Sequence, residues 1–271
     1  MNQRKSLKEL NLLDKFLFDE AMDDPENVKT MLDIILSQNT NLKHPPQTEK
    51  EQRTSTDNRQ IRLDVYAIDE DDVIYEVEAQ KENTHNLPKR SRLYQGIIDS
   101  KLLPPGVVDF NLLNEVLIVL IMPFDLFGYG LYRYTFQMKS EEVPELKLDD
   151  GATRIFLNTR GKHPELVSPE LIELLKYMEH STDEISEACE SKRIQEMHRR
   201  VCQIKASEKA EVKYMQTWEE KILIKQEGER IGLERINRLN QKLIEQGRFD
   251  DLTKATSDSS YQEKLLKEFK I

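Results

Sequence analysis

Cysteine is nearly absent from this chain. Cys189 and Cys202 are the only two in 271 residues, too few for a disulfide framework or a cysteine-rich metal centre, and a reducing cytoplasmic setting is expected. The five histidines, His44, His85, His163, His180 and His198, are read as offering no H-x₃-H or Cys/His pair, which argues against zinc. Neither G-x-S-x-G nor G-x₄-G-K-[ST] occurs, which removes the serine-hydrolase elbow and the phosphate-binding loop. Long apolar runs are missing too. The longest, Val116–Met122, falls far short of the ~20 residues of a membrane-spanning helix, so no membrane partner is expected. The opening residues 1–7 lack the apolar stretch of a secretory leader, and export is not expected.

Basic excess is lacking as well. A formal net charge of −10 argues against indiscriminate coating of nucleic acid, because that binding depends on neutralising phosphates with Lys and Arg. Any such contact must be local. Residues 81–101 offer one place, with Lys81, Lys89, Arg90, Arg92 and Lys101 against only Glu82 and Asp99.

What is present has a clear order. Over residues 11–36 the apolar positions recur at three- and four-residue steps, with Asp24-Pro25 as an N-cap and first helical position, so two helices are expected. Residues 37–60 are polar, with Pro45-Pro46, and read as a loop, or a loop with one weak edge strand. Residues 61–68 and 73–80 are β-branched and aromatic, and they flank the acidic Asp69-Glu70-Asp71-Asp72, the pattern of a hairpin. Leu87-Pro88 opens a helix that Pro104-Pro105-Gly106 stops. Residues 115–122 are almost continuously apolar, as in a central strand covered on both faces. Strands are also expected over 131–137 and 154–157. Past Ser168-Pro169 the pattern is helical, and from 182 to 246 charges of both signs predict long solvated helices interrupted by Gly228 and Gly232. The expected division is a domain over residues 1–180 and a charged helical tail over 181–271, with apolar spacing returning after Phe249.

One strand carries chemistry. Side chains alternate along it, so Glu76, Glu78 and Gln80 share a face, and hairpin pairing can bring Asp64 near Glu78. An isolated E-x-E-x-Q is ordinarily a solvated sheet face. Unpaired carboxylates facing a core are costly, however, and Mg²⁺ held by one or two of them plus water and phosphate oxygens would offset that cost.

The order of elements, with Asp64 on one strand and Glu78-x-Gln80 on the next, resembles the PD-(D/E)XK nuclease core. Arg62-Leu63-Asp64-Val65-Tyr66, Val77-Glu78-Ala79-Gln80, residues 87–95, residues 123–128 and residues 151–158 together are similar to its recombination-promoting, transposase-like branch. The resemblance implies an α/β restriction-endonuclease-like core, a mixed central sheet flanked by helices, followed by the helical tail. It implies a Mg²⁺-dependent DNA endonuclease, with Mn²⁺ able to substitute. Asp64 and Glu78 would be metal ligands and Gln80 would stand in the lysine's place, so that Asp64, Glu78 and Gln80 form the catalytic set. Arg90, Tyr94 and Gln95 on the next helix would contact DNA; packing for Tyr94 and a surface ion pair for Arg90 weigh about equally. Asp14 could add a carboxylate, although an ordinary helix-start acid explains it. A homodimer through the C-terminal helices is the expected assembly. The competing expectation is a nuclease-fold binding or regulatory protein without useful cleavage, working through its tail.

Overall fold

The computed structural model describes residues 4–52 and 61–271. The chain is an α/β protein with a mixed six-stranded sheet in the order β1-β2-β3-β4-β6-β5. The strands are β1 (Gln47–Gln52), β2 (Ile61–Ile68), β3 (Ile74–Ala79), β4 (Val116–Met122), β5 (Arg133–Phe136) and β6 (Ala152–Asn158). β1, β2 and β3 pair antiparallel, β4 lies parallel to both β3 and β6, and β5 closes the far edge antiparallel to β6. The polar stretch before the hairpin thus supplies an edge strand. The part of it that falls on residues 53–60 lies outside the described residues.

The hairpin forms because its turn bonds itself. Asp69 Oδ1 accepts from the amides of Asp71 and Val73 at 3.0 and 2.9 Å, and Oδ2 accepts from the buried Tyr75 hydroxyl at 2.6 Å. Asp72 takes the left-handed conformation, φ 61°, which Asp tolerates better than most residues. Parallel β3 and β4 need a crossover, and α3 (Leu87–Asp99) provides it. Leu87, Ile97 and Ile98 of this helix join Ile74, Ile118, Leu120 and Phe156 in one core cluster, so α3 covers the sheet face that carries Glu76 and Glu78.

The opposite face, with Val65, Tyr75, Val77, Val119 and Ile155, is equally buried. Helices α1 (Lys15–Met22), α2 (Pro25–Leu36), α4 (Pro169–Glu179) and α6 (Lys192–Lys205) pack among themselves as a second layer, with the short α5 (Asp183–Glu187) against α4 and α6. Side-chain oxygens of Asp24, Ser168 and Ser191 accept from free amides in the first turns of α2, α4 and α6, the role these residue types serve at N-caps. Asp125 shapes the loop after β4. It accepts from the amides of Phe127, Gly128 and Gly130 and from the Tyr134 hydroxyl.

The first compact unit runs to Glu211, beyond the boundary expected at residue 180. The reason is packing, since α6 shares buried surface with α1, α2 and α4 through Ile194, Met197 and Val201. Residues 212–271 form the second unit. Helix α7 (Glu208–Glu245) continues through Gly228 and Gly232 although each costs about 1 kcal/mol relative to alanine. In this unit α8 (Phe249–Ser257) and α9 (Ser259–Glu268) fold back, joining Leu239 and Leu243 to Ala255 and Leu265 in a small core. Among the described residues no helix is long and apolar enough to cross a membrane.

Asp69→Ala removes three hydrogen bonds and leaves Tyr75 with a buried unpaired hydroxyl, so it should lower stability by about 2–3 kcal/mol in urea unfolding. Tyr75→Phe should cost about 1 kcal/mol.

Candidate active site

The hairpin register fixes where the acids lie. Val65 faces Val77 and Tyr66 faces Glu76, so the same register sets Asp64 across from Glu78. On the other side Thr48 pairs with Val65 and Lys50 with Leu63, which sets Glu49 across from Asp64. Directly opposed residues share a face with Cβ atoms about 4.5–5.5 Å apart. Asp64 and Glu78 therefore share one face, and Glu49, whose backbone is left-handed (φ 49°), joins them through Lys15, 3.9 Å from its carboxylate. Glu76 lies one step deeper, between Tyr66 and Ile118.

This row is half in the core. Asp64 and Glu78 are 7% and 8% exposed and Glu76 is 0%. Glu78 Oε2 and both Glu76 carboxyl oxygens are buried with no hydrogen-bond partner. The consequences are electrostatic. Burial pushes the Glu78 carboxyl up to about 7, against the pull of Arg90. It pushes Glu76 well above the ordinary range, reinforced by Glu78 and Asp64. Asp64 is also raised by burial, with Lys15 opposing.

Two helices supply cations. Lys15, the first residue of α1, donates from Nζ to Asp64 Oδ1 at 2.6 Å and to Asp19 Oδ1 at 3.1 Å, and lies 3.9 Å from Glu49. Burial alone would lower its ammonium, but Asp64 and Asp19 outweigh that and hold it above the ordinary lysine value. Asp19, one turn along α1, is pushed up to about 7 by burial. From α3, Arg90 Nη2 donates to Glu78 Oε1 at 2.6 Å and to Gln80 Oε1 at 2.5 Å. The Tyr94 ring lies beneath that guanidinium, 5.9 Å away, and its hydroxyl is raised by burial and by Glu78, Glu76 and Asp64.

Asp64, Glu78, Gln80, Arg90 and Tyr94 are thus brought together. Gln95 is buried on the same helix, and its Nε2 bonds Asp99 at 2.9 Å, one turn further along α3. Asp14 is the N-cap of α1 and pairs with Lys81 instead of the acidic row. The sequence reading passed over Lys15, Asp19 and Glu49. The i,i+4 spacing of Lys15 and Asp19 was the one available signal, and it is also the commonest surface pattern on a helix. It also passed over His198-x₃-Cys202, two metal-capable side chains four apart on α6.

Compared with protein-family models, curated proteins and solved structures, the chain matches none. Its chemistry must therefore be argued from these side chains.

The donor set suits a hard divalent cation. Asp64 and Glu78 offer carboxylate oxygens, one of them buried and unpartnered, on facing positions. Three carboxylates of the row do not close to the spacing of three ligands; among the described residues the group that does is Asp183, His198 and Cys202. Two carboxylates with water and phosphate oxygens suffice for Mg²⁺. Clefts of ≈ 470 and ≈ 460 Å³ lie elsewhere, beside Asp33 and Arg193 and beside Asp183 and His198. Solvent reaches the row at its rim, where the Lys15 side chain is 39% exposed.

Because the folded-state Glu78 value is raised from 4.5 to about 7, the folded protein keeps a proton that the unfolded chain gives up in that window. This contribution to stability is lost as pH rises from 4.5 toward 7. In EDTA, Glu78→Gln should therefore gain stability relative to wild type across that window, by at most about 3 kcal/mol. Urea unfolding at a series of pH values measures it, and a flat difference would contradict the assignment.

Proposed function

We propose that the chain is a Mg²⁺-dependent DNA endonuclease with a restriction-endonuclease-like core of the PD-(D/E)XK type, in its recombination and mobile-element branch. The observation that carries the proposal is the facing pair Asp64 and Glu78, buried on one sheet face with an unpartnered carboxylate oxygen between cations from two helices.

In this reading Asp64 and Glu78 hold the ion. Bound there, it would lower the pKa of a water, orient it for in-line attack and neutralise charge on the phosphate. Gln80 brings a dipole where the family pattern has lysine, and Lys15 supplies the missing charge from α1, beside Asp64 and Asp19. Its ammonium is placed to stabilise negative charge growing on the phosphate oxygens. Asp19, with its carboxyl near 7, is matched to take up a proton at neutral pH. Arg90 links Glu78 to Gln80, keeping both side chains in fixed rotamers, and stands with exposed Lys89 and Arg92 where a phosphate backbone would approach. Burial raises the Glu76 carboxyl well above its ordinary range, which disfavours a further like charge next to the pair. Exposed Leu223, Ile224 and Ile231 on α7 support a homodimer through the second unit.

One observation favours the alternative of a nuclease-fold binding protein. Lys15 and Arg90 already neutralise Asp64 and Glu78 in part, so the site is stable without an ion. Nicking of supercoiled plasmid separates the readings. The proposal expects nicking with Mg²⁺ or Mn²⁺, none with EDTA, and its loss in Asp64→Ala and Glu78→Ala that still melt cooperatively. Lys15→Met should lower kcat about 100-fold in protein saturated with Mg²⁺. Clean wild-type protein that nicks under no metal condition would establish the binder.

A further inference from the structure

A second site lies away from the acidic row, at the junction of α4, α5 and α6. His198 and Cys202 are four apart on α6 and so share a face, and Asp183 opens α5 beside them. His198 Nε2 lies 2.8 Å from Asp183 Oδ1 and 3.4 Å from Cys202 Sγ, and Cys202 Sγ lies 3.9 Å from Asp183 Oδ1. Bond lengths of ~2.0–2.1 Å to nitrogen, ~2.3 Å to sulfur and ~2.0–2.2 Å to oxygen put the edges of a tetrahedral zinc site at about 3.3–3.6 Å. The three observed separations straddle that range. The largest adjustment, opening the 2.8 Å His198–Asp183 separation, is about half an ångström or slightly more, and the Asp183 side chain, 82% exposed, has room to make it.

The histidine is also held from behind. Tyr177 of α4 is fully buried, its hydroxyl is 3.0 Å from His198 Nδ1, and the two rings meet edge to face at 5.6 Å. A ligating histidine characteristically has its second ring nitrogen fixed in this way, which sets the ring's orientation and its tautomer. The donor set of imidazole, thiol and carboxylate suits a borderline cation far better than Mg²⁺. One position is left open, toward the ≈ 460 Å³ cleft that Lys8, Ser181 and Lys205 also line.

We propose that Asp183, His198 and Cys202 form a Zn²⁺-class binding site with a fourth position open to water from this cleft. Binding releases the Cys202 thiol proton to solvent as the sulfur–metal bond forms, and the His198 ring proton moves to Nδ1, which then donates to Tyr177. The site clamps α5 to α6 and is independent of the acidic row.

Cobalt(II) titration of the full chain carrying Asp64→Asn and Glu78→Gln, which removes the other oxygen site, tests this directly. The expected result is one equivalent of Co²⁺ giving a thiolate-to-metal charge-transfer band and intense visible bands of tetrahedral geometry. Zn²⁺ should erase both and Mg²⁺ should not. Cys202→Ser should abolish the charge-transfer band, Asp183→Asn should weaken affinity at least 10-fold, and Cys189→Ser should change nothing. Zn²⁺ should also slow alkylation of Cys202 in the protein with both cysteines intact, a readout that needs no variant to fold. Weak octahedral bands without charge transfer, or alkylation of Cys202 at the same rate with and without Zn²⁺, would overturn the site.

Discussion

Like charge confined to a buried sheet face is the constraint around which the first unit is arranged. Asp64 and Glu78 occupy facing positions on two strands, Glu49 joins them through Lys15, and Glu76 lies behind them at 0% exposure. Carboxylates so placed cannot all ionise without compensation. The fold answers in three ways. Burial raises the Glu76 carboxyl well above its ordinary range, Lys15 and Arg90 reach in from α1 and α3, and Arg62 pairs with Glu49 to hold that carboxyl below its ordinary range despite burial. One oxygen of Glu78 and both of Glu76 are left without a partner. Under the proposed function, the Glu78 oxygen is where a divalent cation would gain the most.

Cationic charge reaches these acids from α1, whose first residue lies beside Asp64 because the helix packs against β1 and β2. Gln80 accepts from Arg90 and fixes the guanidinium over Tyr94. Positioning of the cations thus depends on helix packing on either side of the hairpin, and their charge can be changed without altering the strand sequence.

Much of this was legible in the sequence. The two alternating strands around the acidic turn at Asp69 to Asp72, the continuous apolar β4 and the Pro-capped starts of α2 and α4 follow from period and capping chemistry, and the sheet is built from them. Alternation set which residues share a face within each strand, while the pairing that brings Asp64 opposite Glu78 needed the hairpin register. Lys15 and Asp19 were not legible, because only tertiary packing distinguishes a site lysine from an ordinary i,i+4 pair on a helix. The unit boundary moved from residue 180 to Glu211 because charged α6 hides a narrow apolar stripe, Ile194, Met197 and Val201, that a mean over the region dilutes.

The account's central claim is that Asp64 and Glu78 share one hard cation. Crystals soaked in Mn²⁺ and measured at the manganese absorption edge test it most directly. The account predicts a single anomalous peak at that site, ~2.0–2.3 Å from a carboxyl oxygen of each residue, with Lys15 Nζ displaced from Asp64. Full occupancy of other sites with no peak between these two carboxylates would contradict it.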